Sequence, residues 1–158
     1  DVFQEVLAEV TYGDEVFRTM TSPISPWTCS VDLVSPDGRY RAVISESWEI
    51  AMGAPSSGTL LIFDNQHGGR PSARIESCNP SIVWSSDSRA LAAPQWTPDR
   101  QQRMIIVSLP SGKVRAVHGN FSVLELHAFH DNKVRGVDSP IHQPRRIELV
   151  VEDLIHAE

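Results

Sequence analysis

Ser35-Pro36-Asp37-Gly38-Arg39, Ser85-Ser86-Asp87-Ser88-Arg89 and Phe129-His130-Asp131-Asn132-Lys133 are three versions of one phrase. The aspartates at 37, 87 and 131 fall 50 and 44 residues apart. A cation follows each by two residues, and a small residue, Ala42, Ala92 or Gly136, follows by five. Self-similarity at a period of roughly 40 to 50 residues marks a repeat architecture, in which each unit buries an apolar face against the next. The phrase itself is turn chemistry. Asp, Gly, Pro and Asn supply the fixed or positive φ that a strand interior does not use.

Working outward from the turns, the first repeat predicts strands over 30–34, 39–45, 59–63 and 72–76. The second predicts 81–85, 89–94, 103–109 and 113–117, with Met104-Ile105-Ile106-Val107 as its strongest β-forming run. The third gives 123–129, 133–137 and 146–151, then the sequence ends. Upstream, Tyr12-Gly13-Asp14 separates 5–11 from 15–20 and predicts a further hairpin. Val2, Val6 and Glu9 are helix-spaced, which keeps a helix over 2–9 as the rival there.

Four-stranded antiparallel units at this period resemble the blades of TolB-like and WD-repeat-like propellers. In those blades a strand ending in a Ser-Pro-Asp-Gly-type turn precedes a small-residue strand and an apolar third strand. The resemblance covers residues 29–153. It implies an all-β fold, a partial, about three-bladed β-propeller-like repeat of four-stranded antiparallel sheets. A single domain over 1–158 is expected, with an N-terminal hairpin in 1–22 and blade-like repeats over 29–76, 78–117 and 121–153. No Trp-Asp dipeptide closes the third strand, and rings usually hold about four to eight blades. The expected propeller is therefore open, or closed by a second chain.

The chain has 158 residues, 41% of them hydrophobic, enough for one ordinary core. Its net charge of -6 argues against nucleic acid and anionic membranes as partners. No apolar run approaches the roughly 18 residues of a membrane span. The sequence starts at Asp1, as a processed secretory protein or a trimmed chain would. Cys29 and Cys78 both precede the first strand of a repeat, at nearly matched positions. An even count at matched positions predicts a disulfide and an oxidising compartment. Two buried thiols in a cytosolic protein are the alternative.

The histidines carry little chemistry. His127 and His130 are three apart on a predicted strand and point to opposite faces, a poor metal pair. His67-Gly68-Gly69 is similar to an esterase oxyanion segment, but no Gly-x-Ser-x-Gly follows and a turn is expected there. His118, His142 and His156 fall in predicted loops or the tail. Ser85, Ser86 and Asp87 put a hydroxyl beside an acid, yet their first-repeat counterparts are turn formers. There is no Gly-rich phosphate loop, Cys-x-x-Cys pair or calcium loop. Asn120-Phe121-Ser122 matches a glycosylation sequon, too common a pattern to carry weight. The reading is a protein without catalytic residues, metal or cofactor.

The unusual residues sit in the second-to-third strand connections, 47–58, 95–102 and 138–145, which share one end of the repeats. The first is Trp48-Glu49-Ile50-Ala51-Met52-Gly53-Ala54-Pro55-Ser56-Ser57, with Trp, Ile and Met where polar residues belong. The second adds Trp96 and Pro98, the third Ile141 and His142. Apolar residues in stiffened loops bury area at low ordering cost, which a recognition surface needs. Met52, Pro55, Ser56, Trp96, Pro98 and His142 are the candidate partner contacts, with Ser108 and Ser111 on the opposite end in reserve. The alternative is that Trp48 and Ile50 extend the second strand and fill core.

In its overall cast, small, acidic and repeat-built with two cysteines, the chain resembles the periplasmic immunity proteins of type VI secretion effectors. More narrowly it is similar to the partner of a peptidoglycan amidase effector of the papain-like cysteine peptidase type. The resemblance implies an exported periplasmic protein, its signal peptide removed, that binds the amidase 1:1 and plugs its active site. A small polar residue at the plug tip would hydrogen-bond the Cys/His pair. A periplasmic propeller-type scaffold and a lectin-like ligand-binding module of the cell envelope are the other readings.

Overall fold

A computed structural model describes residues 9–12, 15–18, 23–45 and 47–151. Among these residues there is no helix; every element is a strand. β1 (Glu9–Tyr12) and β2 (Glu15–Arg18) pair antiparallel, with Tyr12 opposite Glu15. The outer parts of that expected hairpin, and most of the rival helix, lie outside the described residues.

The first repeat folds as β3 (Val31–Val34), β4 (Tyr40–Ile44), a short β5 (Trp48–Glu49), β6 (Ser56–Asp64) and β7 (Ala73–Cys78). The second is β8 (Val83–Trp84), β9 (Ala90–Trp96), β10 (Gln102–Ser108) and β11 (Val114–Phe121). The third has three strands, β12 (Leu124–His130), β13 (Lys133–Asp138) and β14 (Arg145–Val150). Each is an antiparallel meander, and the whole is a three-bladed, open propeller-like array. One residue pair, Cys78 opposite Gln95, joins the first blade's last strand to the second blade. Hydrogen bonding then runs unbroken in the order β11-β10-β9-β7-β6-β4-β3.

Why one blade reads as alternating and the next as continuously apolar follows from the stacking. In β4, buried Tyr40, Ala42 and Ile44 alternate with more exposed Arg41 and Val43, because only one face meets another blade. The second blade is covered on both sides, so Met104, Ile105, Ile106 and Val107 are all fully buried. Trp84, Leu91, Ala93, Ile105 and Val107 of the second blade pack with Leu60 and Ile62 of the first. Ala90, Ala92, Met104 and Ile106 pack towards the third, with Leu124, Leu126 and Phe129. Successive residues of β9 and β10 thus feed two separate cores, the period of two that a strand imposes.

A fully buried polar hub fastens the second and third blades. Asn79 Nδ2 donates to Gln102 Oε1 at 3.2 Å and to the Leu124 carbonyl at 3.0 Å. The Leu124 amide donates to Gln102 Oε1 and the Leu126 amide to Ser81 Oγ. The small residues five positions after each turn aspartate have a structural reason. Ala42 and Ala92 are fully buried between blades. Gly136 lies so close to β12 that a Cβ would stand 2.3 Å from the Glu125 carbonyl oxygen.

The expected disulfide is absent, and both cysteines are free. Cys29 is exposed ahead of β3, whereas Cys78 ends β7 fully buried, paired with Gly58 of β6. β4 and β6 lie between β3 and β7. Three strand spacings of about 4.8 Å put the two backbones roughly 14 Å apart, about twice the Cα separation a disulfide spans. The repeat offset matched positions along the chain but not across the blade.

Candidate functional site

Antiparallel meanders put alternate connections at opposite ends. The turns after β3, β6, β8, β10 and β12 share one end; the connections after β4, β9 and β13 share the other. At this second end the long first connection is not a loop. β5 returns on β6, Trp48 opposite Ser57 and Glu49 opposite Ser56, and makes a hairpin with its tip at 50–55. The tip turns through an Ala54 amide to Ala51 carbonyl bond of 3.0 Å and through Gly53 at φ 76.

Two indoles and a strap of backbone hold this hairpin. Trp27 Nε1 donates to the Gly53 carbonyl at 2.9 Å. Trp96 Nε1, from β9 of the next blade, donates to the Ser56 carbonyl at 3.3 Å. The Ser56 amide donates to Pro26 at 3.1 Å, and Ser47 Oγ donates to the Cys29 carbonyl. With its backbone fixed, the hairpin presents Met52, which is 101% exposed, and Trp48, which is 57% exposed. Trp48 therefore does not fill core, and Ile50 is half-buried.

The eight candidate contacts separate on this frame. Met52 stands at the tip, Pro98 is exposed in the turn after β9, and His142 is exposed in the connection after β13. Pro55 and Ser56 are buried under the hairpin, and Trp96 is a half-buried brace. Ser108 is buried at the opposite end, where Ser111 is exposed and accepts from the Lys113 amide at 3.3 Å. Trp27 was not foreseen; only an aromatic in the Ser-Pro-Trp stretch before the first strand hinted at it. Asp99 in the turn after β9 is held below the usual carboxylate range by the Thr97 hydroxyl.

At the opposite end the three repeat turns meet. The Asp37 amide donates to Ser88 Oγ at 2.9 Å, linking the first turn to the second. The Ser86 amide donates to the Phe129 carbonyl at 3.0 Å, linking the second to the third. Ser86 Oγ also lies 2.8 Å from His130 Nδ1, and His130 Nε2 lies 3.2 Å from Asp131 Oδ2. Blade stacking brings together a hydroxyl, an imidazole and a carboxylate that sequence reasoning kept apart, because Ser86 and His130 are 44 residues distant. The group is open to solvent, with the Asp131 side chain 80% exposed. The Ser86 amide is spent on Phe129, so it cannot serve as an oxyanion donor. His127 instead contacts Glu125, Nε2 to Oε1 at 2.9 Å. Among the described residues, no three His, Cys, Asp or Glu side chains gather as a metal would need.

No protein-family model matches the chain, and no curated protein matches it. Solved structures do. The β-propeller domain of the Trilobed protease from Pyrococcus furiosus, described as having an open velcro topology, aligns at 12% identity with a TM-score of 0.48, over 77% of this chain and 43% of that one. A protein of Bacteroides uniformis designated, provisionally, a 6-phosphogluconolactonase aligns at 16% identity and TM-score 0.40, over 90% of this chain and 48% of that one. A similarly designated protein of Bacteroides fragilis aligns at 17% identity and TM-score 0.40, over 87% and 42%. The chain spans less than half the length of each of these three structures, and its likeness to them is one of fold.

Proposed function

We propose that this chain is a protein-binding module whose contact surface is the β5–β6 hairpin end. We infer further that its partner is a secreted peptidoglycan amidase of the papain-like cysteine peptidase type, bound 1:1 in the periplasm as an immunity protein binds its effector. One observation carries the binding reading: Met52 is wholly exposed on a tip whose backbone two indoles hold in place. The tip's backbone loses little freedom on binding, so only the Met52 side chain has to be ordered. The charge of -6 would speed encounter with a basic, wall-binding enzyme. The protein has no turnover of its own in this reading. The Ser86–His130–Asp131 contact serves to join blades.

The test is to mix the purified chain with the amidase encoded beside it. A 1:1 complex by size exclusion and complete loss of wall hydrolysis are expected. No complex, or hydrolysis of p-nitrophenyl acetate that disappears in Ser86→Ala, would overturn the reading. A scaffold role in the envelope is the second reading, favoured by the open face of the first blade. There Val34 is 50% exposed beside half-buried Val43, Leu61 and Phe63. Under that reading Leu61→Arg abolishes assembly and Met52→Ala does not.

A further inference from the structure

The end opposite the hairpin contains a cavity of about 670 Å³, within the size range of small-ligand sites. Its walls come from the three repeat turns and the turn after β10. Tyr40 and Ser108 line it, only 4% and 6% exposed. Neither hydroxyl makes a hydrogen bond among the described residues. Both line the cavity, and neither is committed to the fold, so each is available to a ligand there. Phe129 and Leu109 give the cavity an apolar side.

The charges around it are unequal. Asp37, Asp87 and Asp131 line the cavity against Arg39 and Arg89. Arg39 is already matched: Nη2 lies 3.1 Å from Asp64 Oδ2, and the guanidinium sits 5.0 Å over the Tyr40 ring. Asp131 Oδ2 lies 3.2 Å from His130 Nε2, so the Asp37 and Asp87 carboxylates share the cavity with one guanidinium outside an ion pair, that of Arg89. The turns themselves use one oxygen of their aspartates. Asp87 Oδ1 accepts from Ser85 Oγ at 2.7 Å and the Arg89 amide at 3.1 Å, and Asp37 Oδ1 accepts from Ser35 Oγ and the Arg39 amide. Asp87 Oδ2 is left over by its turn, whereas the Asp37 carboxyl also meets the Ser88 hydroxyl.

We propose that this cavity is a binding site for an organic cation, a guanidinium or primary ammonium on an apolar stem. The carboxylates match its charge, the Tyr40 and Ser108 hydroxyls accept its N–H groups, and Phe129 and Leu109 cover the stem. The same chemistry is offered by a free small amine and by an arginine or lysine side chain of a partner protein. The site is independent of the hairpin and of what binds there.

Calorimetric titration with agmatine, and with the blocked peptides Gly-Gly-Arg-Gly-Gly and Gly-Gly-Glu-Gly-Gly, tests this. Binding of agmatine or of the arginine peptide is expected, with none of the glutamate peptide. Agmatine binding identifies a small-molecule site; binding of the arginine peptide alone identifies a partner's side chain. Tyr40→Phe and Ser108→Ala, which remove no hydrogen bond of the fold, should each weaken binding several-fold with unchanged melting. Asp87→Asn with Asp131→Asn should weaken it about tenfold. The proposal fails if neither cationic probe binds, if the glutamate peptide binds more tightly, or if all these variants bind as the unaltered protein does.

Discussion

The Asp37 amide donates to Ser88 Oγ across 2.9 Å, and this bond between residues 51 apart fastens the first repeat turn to the second. Ser88 occupies the place that Gly38 holds in the first turn, and both have positive φ, 63 and 77. A left-handed φ costs a non-glycine residue roughly 1 kcal/mol. The second turn bears that cost because the hydroxyl of Ser88, a buried residue, caps an amide of the neighbouring blade.

Two substitutions separate the terms. Ser88→Ala loses the bond and keeps the backbone strain, and should lower stability by about 1–2 kcal/mol. Ser88→Gly loses the same bond but relieves the strain, and should fall between the two. Urea denaturation midpoints measure both. A Ser88→Ala protein as stable as the original would show that the inter-turn bond contributes nothing.

Gly136 makes the analogous case for close approach. A methyl group there would meet the Glu125 carbonyl oxygen at 2.3 Å, backbone that cannot rotate away. Gly136→Ala should destabilise by about 1–3 kcal/mol or more, the usual range for overpacking. Ala92→Gly, in the matching position of the second blade, should cost less, through lost packing and chain entropy alone. Equal effects at the two sites would mean that the register near the β12 bulge is not as described.

The blades were legible because turn chemistry is local. Asp37, Asp87 and Asp131 each carry their own turn in neighbouring residues, so a repeat of turns becomes a repeat of hairpins. What was not legible depended on pairing across the blade. Trp48 becomes strand only because Ser57 faces it, and no pattern within 45–58 announces that. Cys29 and Cys78 fall at similar points of the period but on opposite sides of the first blade, with β4 and β6 between them. Ser86 and His130 meet only because the second and third blades stack. Among the candidate contacts, Met52 was readable as an apolar residue in an exposed tip. Trp96 was readable as unusual, but its role as a brace needed the Ser56 carbonyl to be placed.

The cysteines should react very differently. Cys29 is exposed, while burial pushes the Cys78 thiol up to about 12, leaving almost no thiolate. Native protein, never reduced, should take up one equivalent of iodoacetamide, at Cys29, and a second only after unfolding. Intact mass with peptide mapping reads this directly. Protein that takes up none when native and unreduced would contain the bridge and overturn the strand arrangement around β7.

Stability should fall in acid. The Arg39 guanidinium holds the Asp64 carboxyl below its ordinary value, and Arg41 does the same for Asp32. The Arg39 amide, then the Ser35 hydroxyl, lower Asp37. Because these carboxylates are depressed in the folded state, the unfolded chain takes up protons first. Their contribution is complete above about pH 4, the unfolded value, and is lost as pH falls from there through the folded values. Asp64→Asn should flatten that decline. Urea midpoints compared between about pH 7 and about pH 3 measure it, and a variant with an unchanged slope would show that the Arg39–Asp64 pair is not its source.

The hairpin end makes the last prediction, which rests on a division of labour. Met52 touches solvent alone, so Met52→Ala should leave the melting temperature unaltered. If it is the anchor for a partner, its truncation should cost about 2 kcal/mol, roughly thirtyfold in affinity. Trp96 does a different job, holding the hairpin by one N–H bond at 3.3 Å to Ser56. Trp96→Phe keeps most of the packing and removes that bond. It should weaken binding only a few-fold, through a looser tip, with a small fall in melting temperature. Trp27→Phe, which frees the Gly53 carbonyl, should behave likewise, and the two together should approach the loss seen for Met52→Ala. Binding by calorimetry or surface plasmon resonance, with a melting curve for each variant, separates anchor from brace. If Met52→Ala binds as tightly as the original while either tryptophan variant loses binding without melting earlier, the indoles themselves are the contacts. The hairpin tip would then be a spacer.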